Sequence, residues 1–87
     1  MWKMKLSKEA LSVIPNLKAA KLLNKAKSLL DILKENPFQN PPSYEKSSGN
    51  FSGMYSRRIN QKHRLVYEIE EETKTVRVLY MWSHYEF

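Results

Sequence analysis

The sequence predicts an α+β fold in which two N-terminal helices pack on a four-stranded, antiparallel-type sheet, with elements in the order β-α-α-β-β-β. In the first half of the chain, apolar residues recur at helical spacing. In the second half, short segments rich in β-branched and aromatic residues alternate with turns. Because a chain of 87 residues builds only one small core, residues 1–87 are expected to form a single domain.

The first elements are a strand and a short helical turn. The segment "WKMKLS" alternates apolar and polar residues, which is the period of a half-buried strand, and we expect this strand to join the sheet. Ser7 is a suitable N-cap for a turn through "KEALSV". Pro15 interrupts the pattern because proline has no amide donor, and Asn16 is then able to cap a second helix.

A long amphipathic helix is predicted over residues 17–36. At about 100° per residue, its alanines and leucines fall in one apolar arc that belongs to the core: Ala19, Leu22, Leu23, Ala26, Leu29, Leu30 and Leu33. Lys18, Lys21 and Lys25 cluster along one flank of this arc. That flank is either a solvated edge of the core or a contact surface for RNA.

A loop and a three-stranded meander complete the chain. The segment "NPFQNPPSYEKSSGN" is expected to be a loop, since its prolines and small polar residues oppose regular structure. The strands "MYSRRI", "RLVYEIE" and "TVRVLYMW" follow, joined by "NQKH" and "EETK". The last strand is apolar on both faces, so we expect it inside the sheet and covered.

Composition narrows the classes of function. The net charge is +6, and residues 1–36 carry eight lysines against three acidic residues, which favours a polyanionic partner such as nucleic acid. Without cysteines, neither disulfides nor thiolate metal sites are expected. The N-terminus lacks an apolar signal core, and no apolar run approaches the roughly 18 residues of a membrane span. We therefore expect a cytoplasmic protein without membrane contact.

Motifs for metals and phosphate loops are missing from the sequence. His63 and His84 stand apart, with no ligand spacing around them. Two glycines are too few for a phosphate-binding loop. We therefore predict no metal and no cofactor.

The remaining polar groups suit phosphodiester chemistry. Cleaving RNA needs a base for the ribose 2′-OH, a cation for the charge that develops on the phosphate, and an acid for the departing 5′-oxygen. Glu45 in the loop, Arg58 and Arg64 beside the turn, and His84 near the end of the chain offer these functions. Each also has a plainer interpretation: a solvated glutamate, arginines that protect an exposed edge, and an incidental histidine.

One stretch carries a resemblance to a known family. "YSRRINQKHRLVYEI" resembles the hairpin of the Txe/YoeB toxins, within the wider RelE-like group of toxin–antitoxin systems. Other features fit the same pattern: Pro37-Phe38 after the helix, Glu45 eight residues before Gly53, and His84-Tyr85 near the end. The resemblance covers about residues 17–87 and implies a RelE-like microbial RNase fold.

The resemblance also implies an activity, that of a ribosome-dependent mRNA endonuclease that needs no metal and inhibits translation. Glu45 would be the general base, Arg64 the phosphate-stabilising cation and His84 the general acid. Substrate would be held and positioned by Arg58, Tyr85 and Lys46. On this basis we expect Arg64→Ala to harm cleavage more than Arg57→Ala.

The implied partners are a YefM/Axe-like antitoxin, the ribosome with its mRNA, and a second copy of the chain in a homodimer. The proline-broken, basic N-terminal segment departs from the family pattern, so the antitoxin-binding surface stays undefined. Two alternative hypotheses stay open. One is a non-catalytic toxin of the RelE superfamily, of the gyrase-inhibiting type, and the other is a basic nucleic-acid-binding module.

Overall fold

The computed structural model describes residues 1–46 and 53–82. The elements in chain order are strand β1 (Lys3–Leu6), helices α1 (Lys8–Ser12), α2 (Ile14–Ala19) and α3 (Leu23–Glu35), and strands β2 (Glu45–Lys46), β3 (Met54–Arg58), β4 (Arg64–Glu70) and β5 (Thr75–Tyr80). The helices pack against one face of the sheet, which confirms the predicted α+β class.

The sheet is mixed and has five strands in the order β1-β5-β4-β3-β2. The predicted meander β3-β4-β5 is antiparallel throughout, and β1 joins β5 in parallel. The predicted count of four strands is wrong, because Glu45 and Lys46 of the supposed loop pair with β3 as β2. An extended pair of residues is enough here, since the open edge of β3 offers unpaired amides and carbonyls.

The long helix predicted over residues 17–36 is interrupted. At the end of α2, Lys21 adopts a positive φ of 61°, and the Leu22 amide donates to the Leu17 carbonyl at 2.8 Å while the Lys21 amide donates to that of Lys18 at 3.1 Å. This is the Schellman arrangement, in which a left-handed residue satisfies the last carbonyls of a helix. The chain therefore changes direction before α3, which the helical periodicity did not predict.

Of the two predicted helix N-caps, the structure contains that of Ser7 but not that of Asn16. Ser7 is the N-cap of α1: its Oγ accepts from the Ala10 amide at 3.0 Å and donates to the Leu79 carbonyl at 2.7 Å, tying the helix to β5. The prediction that Asn16 caps the second helix is wrong, because α2 begins before it and Pro15 occupies the first turn. A proline fits that position since its missing amide has no partner there.

The core lies between the helices and one face of the sheet. Its buried members include Ala10, Val13, Leu17, Ala26, Leu29 and Leu33 from the helical segment and Leu65, Tyr67, Val76 and Val78 from the strands. Ala19, predicted in the apolar arc, is exposed because α2 ends there. As predicted, β5 lies inside the sheet, between β1 and β4. No helix within residues 1–46 and 53–82 is long and apolar enough to cross a membrane.

Candidate active site

The β3–β4 hairpin places two arginines directly opposite each other. Arg58 pairs with Arg64 in the antiparallel register, at the ends of the strands that flank the turn. Cross-strand partners point to the same face of a sheet, and like charges opposite each other destabilise the pair. This end of the hairpin is therefore suited to an anionic group that lies between the two guanidinium groups.

Strand β2 brings a carboxylate to this pair. Glu45 lies opposite Ser56 on β3, and its Oε1 is 3.2 Å from a terminal nitrogen of Arg64. The other terminal nitrogen of Arg64 donates to the Ser56 hydroxyl at 3.0 Å. The Glu45 side chain is 67% exposed and that of Arg64 is 33% exposed. Both charged groups are thus oriented by the sheet and still open to a ligand.

The end of the described chain lies beside Arg64. The Arg64 amide donates to the Trp82 carbonyl at 3.2 Å, and the Trp82 ring stacks on His63 with ring centroids 3.9 Å apart. His84 and Tyr85, the predicted acid and the predicted substrate-positioning residue, lie outside the described residues. Their assignments stay predictions.

His63 is buried at the turn, where it supports the hairpin. Its amide donates to the Asn60 side chain at 2.7 Å, and its Nδ1 is buried without a hydrogen-bond partner among the described residues. Burial, with a smaller contribution from the positive charge of Lys62, lowers the pKa of His63 below its ordinary value of 6.5. His63 therefore stays neutral near pH 7 and supports the turn.

The hairpin carries four cationic or titratable side chains in different environments: Arg57, Arg58, His63 and Arg64. Arg57 lies on the opposite face of β3 from Arg58 and is only 1% exposed. The sequence analysis did not predict that Arg57 is buried, although a signal was available. Successive residues of a strand face opposite sides, so one of two adjacent arginines had to point inward.

Lys46 is not brought to the Glu45–Arg64 pair. It lies opposite Tyr55 on β3, so its side chain points to the other face of β2 from that of Glu45. Its ammonium is 6.0 Å from the centre of the Tyr55 ring. Substrate contact by Lys46 stays a prediction without geometric support from this structure.

The predicted lysine flank is divided by the break between the helices. Lys18 is on α2, Lys21 is in the break and Lys25 is on α3, and all are exposed. Lys18 and Lys21 line a shallow surface depression with Leu23 and Asn24. No described hydrogen bond or ion pair joins this flank to Glu45 or Arg64.

Residues 1–46 and 53–82 contain no group of three or more His, Cys, Asp or Glu residues that could hold a metal ion. The charged groups that do converge are a carboxylate and guanidinium groups, which bind and act on anionic substrates directly.

Comparisons with known proteins identify the family of this chain. Residues 15–85 match the model of a family described as the YoeB-like toxin of bacterial type II toxin-antitoxin systems. A curated relative, Toxin YoeB of Synechocystis sp., is 41% identical over 51 residues, covering 59% of this chain and 59% of the relative. The chain thus spans less than two thirds of that relative's length.

Solved structures extend the likeness to nearly the whole chain. A YoeB/ParE toxin from Agrobacterium tumefaciens superposes with a TM-score of 0.84 at 25% identity, over 95% of this chain and 99% of that one. A YoeB–YefM complex from Staphylococcus aureus gives a TM-score of 0.78 at 27% identity, over 98% and 99%.

The fold and the family match define a small toxin of the RelE-like class. Because the family model covers most of its length, the chain belongs to the YoeB-like toxin family of type II toxin–antitoxin systems. The predicted family and the predicted RelE-like α+β fold are confirmed.

Proposed function

We propose that this toxin is a ribosome-dependent mRNA endonuclease that cleaves by general acid–base catalysis. The supporting observation is the group formed by Glu45, Arg64 and Arg58. A carboxylate lies 3.2 Å from one guanidinium group, and a second guanidinium group lies directly across the hairpin. A base next to two cations suits RNA cleavage, because the 2′-OH beside the phosphodiester must lose its proton while negative charge builds on the phosphate.

In the proposed reaction, Glu45 takes the proton from the ribose 2′-OH. The 2′-oxygen attacks phosphorus while the bond to the 5′-oxygen breaks, which leaves a 2′,3′-cyclic phosphate and a free 5′-OH. His84 donates a proton to the departing 5′-oxygen, and Tyr85 positions the substrate. Arg64, assisted by Arg58, stabilises the negative charge that builds on the phosphate oxygens.

The resting ion pair does not block this chemistry. Exposed ion pairs contribute only about 0–1 kcal/mol, so a phosphate group competes readily with Glu45 for Arg64. Displacement from Arg64 leaves the Glu45 carboxylate free to act as a base. Among the described residues Arg58 has no ion pair or side-chain hydrogen bond, so its guanidinium group is open to the same phosphate.

The proposed partners follow from the family. They are a cognate antitoxin like the YefM found with the Staphylococcus aureus toxin, mRNA on the ribosome, and a second copy of the chain. A net charge of +6 favours encounter with RNA. The exposed flank of Lys18, Lys21 and Lys25 is the proposed contact with ribosomal RNA, and the cytoplasm is the proposed location.

A cleavage assay with purified ribosomes and a defined mRNA tests the proposal. Glu45→Gln and His84→Gln should each reduce cleavage by about 10²–10⁴-fold, the usual contribution of general acid–base catalysis. The matched control is Glu70→Gln, because Glu70 forms a comparably exposed ion pair with Arg77 at 3.0 Å. This control variant should cleave at the wild-type rate.

The same assay separates the alternative hypotheses. A wild-type toxin that arrests growth without cutting ribosome-bound mRNA would favour the non-catalytic, gyrase-inhibiting type. Binding of RNA without growth arrest or cleavage would favour the basic binding module. Wild-type cleavage by Glu45→Gln would remove Glu45 as the base.

A further inference from the structure

We propose that Arg57 is a positioning residue that fixes the catalytic base Glu45, an inference that rests on the function proposed above. Arg57 does not face the site. It lies beneath the site, on the face of β3 opposite to Ser56 and Arg58, and is 1% exposed. A buried guanidinium group has lost its hydration, and this cost in free energy must be offset by strong contacts.

Those contacts come from carbonyl and phenol oxygens. The Arg57 Nε donates to the Tyr67 hydroxyl at 3.0 Å, and Nη2 donates to the carbonyls of Pro37 and Gln39 at 3.0 and 2.8 Å. Nη1 donates to the carbonyl of Pro42. Among the described residues no carboxylate neutralises this guanidinium group, and all its described hydrogen bonds go to neutral, oriented oxygens.

The three carbonyls belong to the proline-rich segment between α3 and β2. This segment satisfies few polar groups internally: the amides of Phe38 and Gln39 bond back to Asn36, and the Gln39 side chain bonds to Pro41. Among the described hydrogen bonds, every one that ties residues 37–42 to the sheet is donated by Arg57. The guanidinium group therefore supplies the polar attachment of this segment to the sheet, beside the edge-to-face contact of the Phe38 ring with Tyr55 of β3.

The segment leads directly to the proposed base. The Tyr44 ring lies over the Arg57 guanidinium group, with its centre 4.9 Å from Cζ, and Glu45 follows Tyr44 in the chain. Strand β2 itself has only two residues, which is too short to hold its register alone. Arg57 thus fixes both Pro42 and Tyr44, immediately before Glu45 enters the site.

The Tyr67 hydroxyl that accepts from Arg57 stays in one state of charge because it is buried. Burial raises the pKa of the Tyr67 phenol above its ordinary value of 10, while the positive charge of Arg57 and its hydrogen bond have the opposite, smaller effect. The phenol is therefore neutral at physiological pH and serves as a hydrogen-bond acceptor for Arg57.

The test is a double-mutant cycle on the cleavage rate with Arg57→Leu, Glu45→Gln and the two combined, under single-turnover conditions. Displacing a reacting group by about 1 Å costs about 10²-fold, so we expect Arg57→Leu to lower the rate by about 10²-fold. In the Glu45→Gln background the same change should have no further effect, because the base it positions is already gone. Arg77→Leu, at an exposed arginine of β5, is the matched control and should leave the rate unchanged.

Two milder variants keep the test decisive if Arg57→Leu does not fold. Tyr44→Leu removes the ring contact while leaving the Arg57 hydrogen bonds, and it should lower the rate less, again only when Glu45 is present. Arg57→Lys retains the charge without the planar fork that reaches separate carbonyls, so its rate should fall below that of wild type when Glu45 is present and should be unchanged in the Glu45→Gln background. Circular dichroism verifies that each variant is folded.

The outcomes distinguish this inference from the proposed function. Equal loss from Arg57→Leu, or from Tyr44→Leu, in the presence and absence of Glu45 would overturn the positioning role while leaving Glu45 as the base. An unchanged rate in folded Arg57→Leu would overturn it as well. Wild-type cleavage by Glu45→Gln would instead overturn the proposed function.

Discussion

The Glu45 carboxylate lies 3.2 Å from the Arg64 guanidinium group although the two residues are 19 positions apart in the chain. Two sheet registers create this contact: β2 places Glu45 opposite Ser56, and β3 places Ser56 two residues from Arg58, the cross-strand partner of Arg64. Ser56 then holds the same guanidinium group from its other side. The proposed base and the proposed cation are thus positioned by the backbone of one sheet edge.

Arg64→Ala should reduce kcat of ribosome-coupled cleavage by about 10²–10³-fold, the usual cost of removing one preorganised charge contact to a transition state. Arg77→Ala is the control, since Arg77 also forms an exposed ion pair with a glutamate. Steady-state kinetics of the two variants make the comparison. Equal kcat values would show that Arg64 has no special part in the reaction.

Arg58→Ala should weaken substrate binding more than it slows the chemical step, because Arg58 assists Arg64 in holding the phosphate. The slope of log affinity against log salt concentration should become shallower by about 1, as expected for one lost phosphate contact. Titration of ribosomes or RNA at several salt concentrations measures this slope. Lys74→Ala, an exposed turn residue, is the control, and an identical slope for Arg58→Ala and Lys74→Ala would contradict the assignment.

His63→Phe should flatten the dependence of stability on pH. The folded-state pKa of His63 is lowered, so above the ordinary value of 6.5 the residue is neutral in both states and the folded protein is fully stabilised. As the pH falls through that value towards the folded-state pKa, the unfolded chain binds the proton first, and the free energy of unfolding decreases.

Phenylalanine retains a ring that can stack on Trp82 but cannot titrate. Urea unfolding of the two proteins between about pH 7.5 and about pH 5 should therefore show a smaller loss of stability in His63→Phe. Any contribution from His84 is common to both proteins and cancels in the difference. Parallel pH profiles would show that His63 is as easily protonated in the folded state as in the unfolded one.

The structure gives a reason for Arg57→Ala, as well as Arg64→Ala, to reduce cleavage. Truncating Arg57 leaves the carbonyls of Pro37, Gln39 and Pro42 without their donor, and such unsatisfied groups cost about 1–3 kcal/mol each when buried. Both substitutions are therefore expected to reduce cleavage, Arg64→Ala by removing a charge at the site and Arg57→Ala by loosening the segment that carries Glu45. That Arg64→Ala harms cleavage more than Arg57→Ala stays a prediction.

Local sequence patterns were sufficient to predict much of the fold. Segments rich in β-branched and aromatic residues predicted the meander, and Ser7 before an apolar turn predicted a cap that the structure contains. These predictions succeeded because each depends on neighbouring residues. The break at Lys21 was not predictable from the same arc, since a left-handed residue other than glycine leaves no mark in hydrophobic periodicity.

By itself, the sequence determined four of the strands and the helical character of the first half, the family to which the chain belongs, and the polar groups available for chemistry. Tertiary structure alone decided that Glu45 enters the sheet as a fifth strand, and that Arg58 faces outward while its neighbour Arg57 is buried. The physical reason is that alternation along a strand specifies two faces but not which face is covered. That choice is made only when the helices and the proline-rich segment pack against one of them.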